Sequence, residues 1–228
     1  PLKALHEHNE AALAPGIIAD IEAGKAIAVV SDAGMPLISD PGYRLVKACA
    51  AAGVPVTSLP GANAVLAAVQ LSGLATDSFH FAGFLPSADS ERRHALDDLM
   101  EFPHTVVAYE SPHRLSDCLA DIAARDPARP VAVARELTKL HEEIVRGTAA
   151  EVHATLRARE TIKGECVVVI AGKPAAEAAL DDAQIARIIA DAAANLPAGK
   201  AAQQVSKLTG LPRDEAFARI LKLKGSRT

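Results

Sequence analysis

Residues 29–42, VVSDAGMPLISDPG, constrain this chain more than any other stretch. An apolar run of Ala, Ile and Val (residues 26–30) stops at a polar loop that holds two Ser-Asp pairs, two prolines and two glycines. A helical pattern opens directly afterwards, at Tyr43. An α/β sheet places its ligands where a strand empties into such a loop and then into a helix. Gly34 and Gly42 let the backbone approach a ligand or take a positive φ. Asp32 and Asp40 offer carboxylates to hydroxyls or to an ammonium group. The same residues also fit a plain, well-capped connection in which Asp40 helps to start the helix. The loop by itself leaves both readings open.

The pattern around it predicts an α/β chain. Strand-like runs at 26–30, 54–59 and 79–84 alternate with helical patterns at 43–52 and 62–71, which predicts a mostly parallel sheet. Gly53 stands where a C-cap glycine ends a helix, and Pro60-Gly61 marks a second switch from strand to helix. The small, polar segment GFLPSADS, residues 83–90, reads as a boundary. Beyond it come helix 90–100, strand 105–109, helix 112–124, strand 131–135, a strand-like 143–147, helix 149–159 and strand 166–171. Their spacing suits a second α/β lobe with some antiparallel pairing. An Ala-, Glu- and Asp-rich linker is expected over 174–183, then helices at 182–195, 198–208 and 213–222. The expected division is 1–83, 84–173 and 174–228. Half of the 228 residues are hydrophobic, but only 3% are aromatic and none is Trp, so Ala, Val, Leu and Ile must build the core.

A formal net charge of −4 argues against a chain that binds nucleic acid over its whole surface. The charge is uneven, however: residues 196–228 carry seven Lys or Arg against Asp214 and Glu215. There a turn, Thr209-Gly210-Leu211-Pro212, separates two amphipathic helical patterns, as in a helix-turn-helix whose second helix carries Arg213, Arg219 and Lys222. Either that helix meets a polyanion, or it is the solvated face of a hairpin that only packs. Cys49, Cys118 and Cys166 are widely spaced in apolar surroundings, and buried free thiols of a cytoplasmic protein are expected. No apolar run approaches the length of a membrane span, and no signal peptide is recognised. His6-Glu7-His8 is no metal site, because residues two apart do not share a helix face and no HExxH or CxxC accompanies them. Neither GxGxxG nor GxxxxGK[ST] occurs, so the common dinucleotide and P-loop fingerprints are missing.

The loop SDAGMPLISDPG is followed, in order, by LPGANA (59–64), GFLP (83–86), YESPHR (109–114), ARELTK (134–139) and KGECVVVI (163–170). Together these six motifs resemble the bacterial 16S ribosomal RNA cytidine 2′-O-methyltransferases of the tetrapyrrole-methylase-like (class III) S-adenosylmethionine enzymes. The resemblance runs from about residue 6 to residue 172 and continues more weakly to the end. It implies a two-lobed α/β fold with a small C-terminal helical, helix-turn-helix-like module, and S-adenosylmethionine as cofactor in the cleft between lobes. It further implies a homodimer that acts on 16S rRNA of the small ribosomal subunit. Members of that family carry an N-terminal strand, a Pro-Ile-Gly-Asn-like loop and an Ala-Glu-Asp-Thr-Arg-like segment ahead of this point. The sequence begins at Pro1 without them and is read as a trimmed piece of a longer chain. A sister enzyme acting on a tetrapyrrole precursor and a non-catalytic RNA-binding scaffold are the rival readings. The basic helical module favours RNA over a tetrapyrrole.

The resemblance also implies site residues. Ser31, Asp32, Ala33, Gly34, Met35 and Pro36 match a first cofactor loop. Pro60, Gly61, Asn63 and Ala64 match a second, and Tyr109, Glu110 and Ser111 a third. Glu165 is expected to line the cleft, or else to be simple edge chemistry. Tyr109 equally fits an ordinary strand-end aromatic. The charged cluster around Glu136 and Lys139 is either an ion-pair lock or part of the substrate mouth. Lys139 is the first choice for contact with phosphate or a developing alkoxide. Glu136 or His113 would assist removal of a hydroxyl proton.

Overall fold

A computed structural model describes residues 1–173 and 182–225. Most of the expected linker, 174–181, and the basic Arg227 lie outside the described residues. The chain divides into two compact units, Pro1–Lys173 and Pro174–Thr228.

The first unit holds six helices: α1 (Glu10–Glu22), α2 (Tyr43–Ala51), α3 (Ala64–Ser72), α4 (Asp89–Leu99), α5 (Leu115–Arg125) and α6 (Ala149–Arg157). Its five strands are β1 (Phe79–Phe84), β2 (Thr105–Glu110), β3 (Pro130–Arg135), β4 (Glu143–Thr148) and β5 (Cys166–Ile170), ordered β1-β2-β5-β3-β4 across the sheet. The β1–β2 ladder is parallel, and the other three are antiparallel. Successive residues of a strand face opposite sides, and helices cover both sides here. Val106, Ala108, Val133 and Val168 pack against α4, α5 and α6, whereas Val107, Ala132, Val167 and Val169 pack against α3. That double burial explains why β5 reads CVVVI without alternation.

Local signals fix the ends of these elements. The Asn63 side chain accepts from the Leu66 N–H and caps α3. Thr148 and Glu151 form a reciprocal capping box at the start of α6. After α2, Gly53 N–H donates to Ala50 and Val54 N–H to Cys49, the Schellman pattern, with Gly53 at φ +70°. The α2 start is unusual. Gly42 stands at its N-cap without a side-chain bond, and Glu10, buried on α1, accepts from the Leu45 N–H instead at 2.9 Å. Asp40 therefore does not start that helix.

Two expectations fail. The runs 26–30 and 54–59 form no ladder among the described residues, so the first half holds one sheet strand rather than three. The sheet is accordingly mixed, and mostly antiparallel. β-branched composition only makes a run eligible for a strand; a partner's N–H and C=O groups make it one. Without such a partner, Val30 and Leu59 stand about four-fifths exposed.

The second unit consists of α7 (Asp182–Asn195), α8 (Ala198–Thr209) and α9 (Arg213–Gly225). Ile189, Ala192, Ala201, Ala202, Val205, Ala216 and Ile220 form its own core. Gly210 ends α8 in the left-handed conformation and turns the chain into α9. No helix of the described residues is long and apolar enough to cross a membrane.

Candidate active site

A cavity of about 470 Å³ opens at the carboxyl ends of β1 and β2. Because β5 runs antiparallel to β2, with Tyr109 opposite Val167 and Glu110 opposite Cys166, the start of β5 arrives at the same place. Four segments form the walls: the loop after residue 30, the entry to α3, the end of β2 with the residues after it, and the entry to β5. The sheet thus gathers pieces more than 130 residues apart in sequence around one space.

Asp32, Ala33, Gly34 and Met35 line this cavity from the first loop. Ser31 and Pro36 face a separate hollow of about 850 Å³ towards α1, which Asp32 and Asp40 also border. The loop reaches this shape through positive φ at Gly34, Leu37, Ser39 and Gly42. For Leu37 and Ser39 that conformation costs on the order of 1–3 kcal/mol each, a strain typical of ligand loops. Gly42 has a second reason to be glycine: a β-carbon there would lie 2.7 Å from Leu37 Cδ1. The Ser31 hydroxyl donates to the Ala33 and Gly34 carbonyls and so closes the turn.

Asn63 and Ala64 line the cavity from the α3 entry, Asn63 while capping the helix and touching the Met35 sulfur. Pro60 and Gly61 do not reach the cavity; Gly61 lies behind Met35. Tyr109, Glu110 and Ser111 all border it. Burial raises the Tyr109 hydroxyl pKa above its ordinary value, and the nearby carboxylates of Asp40 and Glu165 add to the rise. The same two carboxylates make the space electronegative and receptive to a cation. Phe81 and Phe84 pack on the Tyr109 ring and hold it in place. Glu110 is fully buried. One carboxyl oxygen accepts from the Ser111 N–H and from Arg114, and the other has no partner among the described residues.

At the mouth, Glu165 pairs with Lys139 at 3.2 Å, and Lys139 pairs with Glu136 at 2.9 Å. The hydrogen bond from Lys139 lowers the Glu136 pKa, with the Glu165 N–H adding to it. Glu136 in turn raises that of Lys139, as does Glu165. At neutral pH this is a fixed cation between two carboxylates. Glu136 itself takes φ +50°, and its carboxyl lies over Gly164, where a β-carbon would approach within 2.3 Å. His113 lies outside the cavity, in a groove beside it. On α9, Arg213, Arg219 and Lys222 are exposed, and Arg219 pairs with Glu215 one turn earlier.

Ile38, Ser39, Phe84, Pro112, Gly164, Cys166 and Val167 line the cavity without having been singled out for it. Phe84, Pro112 and Gly164 did lie inside quoted motifs, which was the available signal. Ile38 and Ser39 are turned inward only by the backbone twist of their loop.

Two family models match this sequence. Tetrapyrrole (Corrin/Porphyrin) Methylases matches residues 2–153, and the RsmI C-terminal HTH domain matches residues 179–224. Ribosomal RNA small subunit methyltransferase I of Mesorhizobium japonicum is 42% identical over 97% of this chain and 75% of its own length. The protein of the same name from Escherichia coli O157:H7 is 41% identical over 98% of this chain and 79% of its own. Among solved structures, that of the methyltransferase CobJ aligns with 72% of this chain and 71% of its own at TM-score 0.49 and 23% identity.

Proposed function

We propose that this chain, which belongs to the tetrapyrrole (corrin/porphyrin) methylase family, is a small-subunit ribosomal RNA methyltransferase that uses S-adenosylmethionine on a cytidine 2′-hydroxyl of 16S rRNA. The observation that supports this best is the cavity at the ends of β1 and β2, in a chain that also carries the helix-turn-helix domain of such enzymes. The residues present suit the cofactor. The volume falls within the range of small-molecule sites, roughly 300–1,000 Å³. The lining combines carboxylates for a cationic and hydroxylated ligand with apolar Met35, Ile38, Phe84 and Val167.

When bound, S-adenosylmethionine supplies a methyl carried on a positively charged sulfur, which the ribose oxygen takes up as its own proton leaves. The protein's part is to hold and align, which supplies much of the rate in such transfers. In this reading Asp32 and Asp40 receive hydroxyl or ammonium groups, and the backbone of Ala33, Gly34 and Ala64 lies against flat parts of the ligand. Tyr109 closes the far wall. Lys139, kept charged by its two carboxylates, stands at the mouth to meet phosphate or the charge developing on the ribose oxygen. The lowered pKa of Glu136 makes it a weak base, and its role is to hold Lys139 in place. In the same reading the segments 1–83 and 84–173 are two lobes on either side of the cavity. Arg213, Arg219 and Lys222 contact RNA phosphates, and the protein works as a homodimer in the cytoplasm.

The test is to incubate the protein with methyl-labelled S-adenosylmethionine and small ribosomal subunits, then digest the RNA to nucleosides. Label in 2′-O-methylcytidine is expected. Label only on a base, or transfer to a tetrapyrrole precursor and none to RNA, would contradict the proposal.

A further inference from the structure

Beside the cavity runs a groove of about 340 Å³ between the start of α5 and the end of α6. We infer that this groove is a binding track for the sugar-phosphate backbone of the RNA strand that carries the acceptor nucleotide. The inference rests on the RNA methyltransferase reading above and adds a site to it.

The groove continues from the cavity. Pro112 lines both, and Lys163, on the groove wall, directly precedes Gly164 and Glu165 on the cavity wall. A polymer with one ribose at the cavity must leave along some surface, and this one adjoins. The charge fits as well. The first unit holds 22 Asp and Glu against 16 Lys and Arg. Within that acidic unit, His113, Arg157 and Lys163 converge on one groove, and their side chains make no hydrogen bond or ion pair among the described residues. Only Glu160 opposes them from the same lining.

Arg159 is different, because both of its outer nitrogens are taken by Glu143. Glu143 also accepts from Arg135, which donates a further bond to the Lys163 carbonyl at 3.0 Å. This network fixes the groove wall, so Lys163 is held in position before anything binds. The lining has no Phe, Tyr or Trp on which a base would stack. Cations without aromatic platforms contact the backbone and leave sequence unread.

The experiment compares Arg157→Glu with Lys163→Glu, made together, against Lys47→Glu with Arg93→Glu, which changes the net charge equally elsewhere. Affinity for 16S rRNA is measured across a salt series, and S-adenosylmethionine affinity is measured alongside as the check on folding. The groove variant is expected to bind RNA about tenfold or more weakly than the control variant and to lose about 2 from its log-log salt slope, about 1 per phosphate contact. Its S-adenosylmethionine affinity stays unchanged. If the reversals unfold the protein, the neutral pair Arg157→Gln with Lys163→Gln is read the same way. Equal RNA affinity and slope in groove and control variants would overturn the track and leave the methyltransferase reading standing. Binding of S-adenosylmethionine with no RNA binding by the wild type would overturn both.

Discussion

Single atoms decide the shape of the cavity mouth. Gly164 has φ +89° and lies against the Glu136 carboxyl at a distance no side chain tolerates. Gly164→Ala should destabilise the protein by about 1–3 kcal/mol, read from urea unfolding. Because the clash is with one carboxylate, removing it with Glu136→Ala should return part of that loss. Strict additivity of the two substitutions would argue that the contact is unimportant. The thiols give a second residue-level test. Burial pushes the Cys118 pKa up to about 12 and that of Cys166 to about 11. Both should resist alkylation at pH 8 in the folded protein and react once it is unfolded in urea. Fast labelling of either in native buffer would contradict their burial.

At the scale of elements, the sheet and its helices hold together through a core with little redundancy. Leu119 on α5 is completely buried among residues from the sheet and the neighbouring helices, so Leu119→Ala should cost about 2–5 kcal/mol. The link from β4 to α6 is electrostatic: Glu143 joins Arg159 and Arg135, and these bonds, Arg159 first, hold its pKa below the usual carboxylate range. Its contribution is therefore complete above the ordinary glutamate pKa and disappears as the pH falls through the lowered value. Glu143→Gln should flatten the acid limb of the stability-pH curve, and an unchanged limb would count against the network. Elements were legible where local pattern sufficed: 79–84 is β1 and 182–195 is α7, to the residue. The runs 26–30 and 54–59 misled because a ladder partner is a property of distant chain. The helix α1 was missed because Pro15 interrupts it and only Glu10, Ala14 and Ile17 are buried. In the site, the motifs pointed to Asp32, Asn63 and Tyr109, but the turning of Ser31 and Pro36 away from the cavity depends on loop backbone twist. Asp40 was ambiguous for a similar reason: Glu10, from another helix, does the capping that Asp40 otherwise would.

At the scale of the whole molecule, the chain joins an acidic α/β unit to a small helical unit with its own core. The central claim is that loop 31–42, the α3 entry, the end of β2 and the start of β5 make one cofactor cavity. Calorimetric titration with S-adenosylmethionine tests this most directly, using the wild type, Asp32→Ala and, as a control outside the cavity, His113→Ala. A cofactor cavity at this place predicts binding by the wild type, binding at least about tenfold weaker for Asp32→Ala, equal to the loss of roughly one hydrogen bond to a charged group, and no change for His113→Ala. Equal affinity for all three proteins, or a loss confined to His113→Ala, would place the cofactor elsewhere and contradict the claim.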